Sequence, residues 1–339
     1  MKKMEMTSKN KIFEIIDNFK NCSVLVIGDI ILDEYIWGKA NRLSPEAPVP
    51  VLEVSKYTYT LGGAANVANN IKTLGGKVVI AGALGQDPQA DQLKTILEKN
   101  NIDSSCLVND PERPTTVKSR LLAHNRQQLV RFDRESKTPI SPKTEEILFK
   151  KIEKQILETD LVLISDYAKG VLTDSLLKKI IDFAKKINKP LLVDPKGLDF
   201  TKYSGATLIT PNRLEAETAT KSPQGTLPKV LAEKLREQLD INYALITLGE
   251  DGALFCDGKN IKTMPSIASE VYDVTGAGDS LISAVSLAMI ASGGNLEIAV
   301  EIGNYAAGVA VRKIGTTAVT TDELKHIIEI NLMEKTITV

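Results

Sequence analysis

The sequence predicts an α/β domain: a central, mostly parallel sheet flanked by helices on both faces, with a small β-sheet added as a lid. Short apolar runs rich in branched residues recur along the chain: SVLVIGD near 23, KVVIAGAL near 77, DLVLISD near 160, PLLVD near 190, ATLITP near 206 and YALITLG near 243. Amphipathic stretches of helical length separate them: AANVANNIKTLG, QADQLKTILEKN, TEEILFKKIEKQILE, SLLKKIIDFAKKIN and LPKVLAEKLREQL. Strands apolar throughout, alternating with helices, belong to parallel sheets buried on both faces. Two stretches that break this rhythm supply the lid.

Taken in order, residues 1–20 carry charges throughout and lack the apolar core of a signal peptide, and they are expected to form an N-terminal helical extension. Residues 21–330 then form one domain, opening on the strand SVLVIGD. Within 34–60, SPEAPVPVLEVSKYTYT shows no helical face, and its prolines belong in a loop or at a sheet edge. Residues 115–134, TTVKSRLLAHNRQQLVRFDR, alternate in the same way. Together they predict a small sheet projecting as a lid or dimer contact, with ordinary edge hairpins as the alternative. The apolar helix LISAVSLAMIA follows DVTGAGDS near the end of the chain.

The 42 Lys and Arg against 43 Asp and Glu leave a formal charge of -1, so no field draws the chain to nucleic acid or membrane. A small-molecule partner is the default. Cys22, Cys106 and Cys256 are too scattered for a disulfide framework or a zinc cluster, which implies a reducing compartment. No apolar run approaches the roughly 20 residues of a spanning helix, and the reading is a cytoplasmic protein.

DVTGAGDS, residues 273–280, carries the chemistry. Small residues let an anion approach the N–H groups of 276–278, and a helix start after them supplies further positive potential. An acid there repels phosphate unless it has a use, and the simplest is as general base toward an attacking hydroxyl while the amides hold the phosphoryl group. The alternative is an Asp that caps its helix. The third glycine of a dinucleotide fingerprint is missing, and no G-x-x-x-x-G-K-[ST] occurs, which argues against a dehydrogenase and excludes a P-loop.

LGGAANVANNIKTLGG at 61–76 and DVTGAGDS together resemble the two signatures of the ribokinase-like (PfkB) carbohydrate kinases, in that family's order and spacing. The resemblance runs from SVLVIGD to about residue 320 and implies a ribokinase-like fold. NRLSPEAPVPVLEV, SDYAKGVL, VDPKG and TPNRLEA resemble those members that phosphorylate D-glycero-D-manno-heptose 7-phosphate at O1 in ADP-heptose synthesis for lipopolysaccharide. Such kinases are often fused to a nucleotidyltransferase with an H-x-G-H pair; with only His124 and His326, far apart, that motif is not expected here. The rivals are a PfkB kinase for fructose 6-phosphate, tagatose 6-phosphate or a nucleoside, and a catalytically silent sugar-phosphate-binding regulator.

The resemblance implies Asp279 as the base, and Gly276, Ala277 and Gly278 as the anion hole. Asn212 and Glu215 match N-x-x-E, which positions Mg2+ and phosphate through water, although Pro-Asn-x-x-Glu also reads as a helix cap with its capping box. Lys196, at the C-terminal edge of a strand, is a candidate phosphate partner for ATP or a solvated lysine. Thr247, Gly249 and Gly252 resemble a nucleotide-side turn, or form a plain β-turn, and Asn304 is a candidate for the adenine side. Asp273 and Thr275 are candidates for a monovalent cation such as K+.

On the sugar side the resemblance implies Asp33 as the carboxylate that holds hydroxyls, with Gly62, Gly63 and Asn66 lining the pocket. Asp29 lies near the same strand end, but reads more readily as a turn residue. A sugar that already carries a phosphate requires a second cationic site, for which Arg120, Arg131 and Lys169 are the candidates and Arg42 and Arg126 the substitutes. A homodimer through the lid strands is expected from the family, and pairing would cover otherwise open strand edges.

Overall fold

The computed structural model describes residues 2–337 apart from 124–126, 268–270, 314 and 316. Helix α1 (Lys2–Asp17) leads into β1 (Ser23–Gly28), and the chain then runs out and back through the long pair β2 (Ile30–Leu43) and β3 (Pro50–Gly63). It continues through α2 (Ala64–Thr73), β4 (Lys77–Leu84), α3 (Pro88–Lys99) and β5 (Asp103–Asn109). A second excursion, β6 (Thr116–Leu122) and β7 (Gln128–Arg134), returns at α4 (Pro142–Glu158). Next come β8 (Leu161–Ser165), α5 (Asp174–Lys186), β9 (Leu191–Asp194), β10 (Leu208–Ile209), α6 (Arg213–Ala219) and α7 (Pro228–Leu239). The hairpin strands β11 (Tyr243–Thr247), β12 (Ala253–Cys256) and β13 (Ile261–Met264) precede α8 (Ala277–Ala291), α9 (Leu296–Ala310) and α10 (Thr321–Ile337).

The main sheet has nine strands in the order β13-β12-β11-β10-β9-β8-β1-β4-β5, parallel except where β12 and β13 add an antiparallel edge. Its central strand explains why the sequence runs are apolar without alternation. Val24 and Val26 of β1 enter one core with α2, α8, α9 and α10, while Leu25 and Ile27 enter a second with α4, α5 and α7. Ile12, Ile15 and Ile16 of α1 join the first core, so this helix is packed into the body of the molecule.

The strand order turns at β1: the chain first builds outward through β4 and β5, then from β8 to β13 on the other side. At such a switch point the C-terminal strand ends diverge and leave a crevice for ligands. Asp29 follows β1, Asp166 follows β8 and Asp194 closes β9, so three carboxylates stand in that crevice.

The four-stranded second sheet, β3-β2-β6-β7, contains both stretches that predicted the lid. Its long strands start closer to the body than the sequence suggested: β2 opens at Ile30, directly after β1, and β3 runs to Gly63. Leu32, Leu61 and Val117 anchor its base in the first core.

Candidate active site

Asp279 lies in the first turn of α8, behind Gly276, whose φ of 80° is the left-handed conformation that glycine tolerates. Its carboxylate is 7% exposed and accepts two hydrogen bonds, from Asn66 Nδ2 at 2.6 Å and from the Tyr167 hydroxyl at 2.8 Å. Burial raises its pKa; the bonds from Asn66 and Tyr167 and the charge of Lys196 oppose the rise without cancelling it. Of the three amides expected to cradle an anion, that of Ala277 donates to the Val274 carbonyl at 3.2 Å, while nothing beyond the adjoining turns of its own helix lies within 4 Å of the Gly278 Cβ position. Asn66, expected in the sugar pocket, points its amide at Asp279 and fixes it.

Asp29 is a staple: its carboxylate accepts the N–H groups of Tyr167, Lys169 and Val171 at 2.8, 3.1 and 3.3 Å. The loop that presents Tyr167 to Asp279 is thereby tied to the end of β1. Asp166 is likewise occupied, by Lys202 Nζ at 2.7 Å and the Tyr203 hydroxyl at 2.6 Å. Asp194 differs. Burial and then the charge of Asp279 push its pKa well above the ordinary range, with Lys196 opposing.

Lys196 ion-pairs with Glu215, and although burial disfavours its charge, that bond raises its pKa overall. Asn212 and Glu215 form the capping box of α6: Asn212 Oδ1 accepts from Glu215 N–H and Glu215 Oε2 from Asn212 N–H, both at 2.9 Å. Among the described residues no three His, Cys, Asp or Glu side chains converge as a direct metal cage. The donors present, carboxylates and an amide oxygen with excess negative charge around Asp194, suit the waters of a hydrated Mg2+.

A cavity of about 450 Å3 brings together Thr247, Gly249, Gly252, Ala277, Gly278 and Asn304 with apolar walls from Val271, Val274, Leu281 and Val311. A bridge between Asn212 and Thr247 sets the N-x-x-E turn beside its mouth. Asn304 donates Nδ2 to the Pro265 carbonyl at 2.7 Å.

Across the crevice, strand pairing places Asp33, Lys118 and Asp133 in one row of the lid and Tyr35, Arg120 and Arg131 in the next, on the same face. Arg120 reaches Asp33 at 2.6 Å and lies over the Tyr35 ring, 5.2 Å from its centroid. Gly62 makes room for that carboxylate: a Cβ there would sit 2.4 Å from Asp33 Oδ2. Gly63, at φ 57°, turns the chain into α2. Arg131 grips Asp133 with two bonds, of 2.9 and 2.6 Å, and Lys169 pairs with Glu135 at 2.6 Å. Tyr35, Trp37, Arg120, Asp273 and Thr275 line a second cleft of about 470 Å3. Asp273 itself accepts the N–H groups of Thr275 and Gly315, both at 2.9 Å, and so ties that loop together. Arg42 is exposed near Glu53, at 3.8 Å, far out on β2, and Arg126 lies outside the described residues. Tyr167, Lys118 and Asp194 are among the residues here to which sequence reasoning gave no role.

A family model described as pfkB family carbohydrate kinase matches residues 22–323. The bifunctional protein HldE of Desulfatibacillum aliphaticivorans is 45% identical over 311 residues, 91% of this chain and 63% of that protein. The bifunctional protein HldE of Helicobacter pylori (strain Shi470) is 44% identical over 308 residues, 90% of this chain and 66% of that protein. The chain thus spans just under two thirds of the length of these curated relatives. Among solved structures, phosphofructokinase-2 from Escherichia coli in complex with potassium superposes with a TM-score of 0.74 at 21% identity, covering 92% of this chain and 99% of that one. Ribokinase from Arabidopsis thaliana, complexed with ribose and ATP, gives 0.69 at 18% identity, covering 91% and 99%. These two likenesses show the ribokinase-like fold. The chain belongs to the pfkB family of carbohydrate kinases and is a sugar kinase, a phosphotransferase with an alcohol group as acceptor.

Proposed function

We propose that the chain transfers the γ-phosphoryl group of ATP to O1 of D-glycero-D-manno-heptose 7-phosphate, giving the 1,7-bisphosphate and ADP on the way to ADP-heptose and the lipopolysaccharide core. One observation carries the reading: Ala277 and Gly278 line the nucleotide cavity, while the next residue, Asp279, turns to Asn66 and Tyr167 on the sugar side. A single helical turn therefore sits between donor and acceptor. Asp279 takes the O1 proton as the O1–phosphorus bond forms and the bond from phosphorus to the bridging oxygen breaks, leaving ADP. Lys196 faces the phosphates. When bound through Asn212, Glu215 and Asp194, Mg2+ supplies positive charge against the phosphate oxygens. The lid excludes water from the transfer.

Two further points support the heptose phosphate: the relatives named HldE, and a lid whose inner face concentrates cations where a second phosphate would lie. The outer face of the same sheet supports a homodimer, since Tyr57, Val130 and Phe132 are exposed there. No helix among the described residues is long and apolar enough to cross a membrane, and we place the reaction where ATP is, in the cytoplasm.

The test is ADP release with Mg-ATP against D-glycero-D-manno-heptose 7-phosphate, fructose 6-phosphate, ribose and adenosine. Turnover confined to the heptose phosphate is expected. Preference for fructose 6-phosphate would move the substrate while leaving the family intact, and silence on all four would overturn the proposed reaction.

A further inference from the structure

Four cations among the described residues face the sugar side of the crevice: Lys118, Arg120, Arg131 and Lys169. Three already have a carboxylate of their own, Arg120 with Asp33, Arg131 with Asp133 and Lys169 with Glu135. The fourth does not. Lys118 is half-buried, its ammonium lies 5.8 Å from the centroid of the Tyr167 ring, and no acceptor among the described residues hydrogen-bonds it. Burial lowers its pKa; Asp33 opposes this, while Arg131 and Lys169 add to it. A half-buried ammonium without a hydrogen-bonded anion is costly unless a ligand supplies one.

Its position says which anion. The hydroxyl of the same Tyr167 ring donates to Asp279, so one aromatic ring separates Lys118 from the proposed base. Its strand neighbours on that face, Asp33 in β2 and Asp133 in β7, are both bonded to arginines. A phosphate monoester arriving here meets one unspent charge and two arginines oriented beside it.

We infer that Lys118 is the anchor for the phosphate the sugar already carries, and that Arg120 chiefly positions Asp33. The inference rests on the proposed heptose 7-phosphate reaction and names the residue that makes it selective for a phosphorylated sugar. A lysine suits the task as a point charge that reorients on a flexible stem, whereas the arginines hold fixed forks.

The experiment compares kcat/KM for D-glycero-D-manno-heptose 7-phosphate with that for the unphosphorylated heptose. The proteins are the wild-type chain, Lys118→Met and Lys118→Arg; Met keeps a stem to pack on Tyr167, and the melting curve of each variant reports that it folds. The preference for the phosphorylated sugar is expected to fall about 10- to 100-fold in Lys118→Met, mainly through KM, and to be largely kept in Lys118→Arg. An unchanged preference in Lys118→Met, or equal losses on both sugars, would overturn the anchor while the reaction stands. Wild-type inactivity on the heptose phosphate would overturn the reaction, and the anchor with it.

Discussion

Asp279, the proposed base, sets stability against catalysis at the scale of one residue. Its buried carboxylate has a raised pKa, as does that of Asp194. The folded chain thus keeps these protons to higher pH than the unfolded chain, whose aspartates titrate near about 4. By linkage each group lowers stability as pH rises from that value through its raised folded pKa. Asp279→Asn removes one such cost without orphaning a partner, because Oδ1 can accept from Asn66 and the new amide can donate to the Tyr167 oxygen. Turnover should fall about 10²- to 10⁴-fold, while the melting temperature at neutral pH rises by about 2 °C. A variant that loses stability but keeps its turnover would return Asp279 to the role of a helix cap. In the wild type, kcat should fall on the acid side at a pH above the ordinary aspartate range, because the base must be ionised; a limb at the ordinary value would contradict its burial. Asp279 stood out in the sequence as a candidate base because a Gly-Ala-Gly run precedes it, with a helix cap as the alternative reading. Tyr167 did not, since its partner is 112 positions away. Lys118 left a faint signal: two residues before Arg120, it shares that residue's face of a strand.

At the scale of elements, the lid was visible as a loss of helical periodicity, but its base was hidden. The expected lid stretch begins only at residue 34, and Ile30 to Asp33 fall outside it, because the root of β2 is as buried as β1 and shows no alternation. Strands β12 and β13 are four residues each, too short to show a period, and β5 mixes polar with apolar residues. Helix α9 was missed because it is apolar nearly all round; it packs so closely that a Cβ at Gly303 would lie 2.5 Å from Val285 of α8. The junction of β2 and β3 also gives a prediction. Asp33 is held by Arg120 and cannot swing aside freely, so Gly62→Ala should break that pair, raise the sugar KM and cost roughly 1–3 kcal/mol of stability. Steady-state kinetics and a denaturant titration measure the two effects. An Ala variant with native KM would show that the carboxylate is free to move.

At the scale of the molecule, the two faces of the lid divide the work. The pleat sends Asp33, Lys118, Arg120 and Arg131 toward the crevice, and sends Ile36, Tyr57, Leu121, Val130 and Phe132 the other way. Val130 and Phe132 are 51% and 50% exposed on β7, an edge strand, and Tyr57 is 54% exposed on β3, the opposite edge. With the proposed sugar site on one side and exposed aromatic and branched residues on the other, the proposed dimer would cover the second face, since a second copy supplies a matching apolar face by symmetry. Light scattering should therefore give the mass of a dimer. Val130→Lys with Phe132→Glu should weaken the dimer at least about 30-fold, leaving the main sheet folded because neither side chain enters either core. Loosening β7 frees Arg131 from its register opposite Arg120, so the monomer should also show a higher KM for the sugar phosphate than for ATP relative to wild type. A wild-type monomer, or a double variant that still dimerises, would show that this face is covered in some other way.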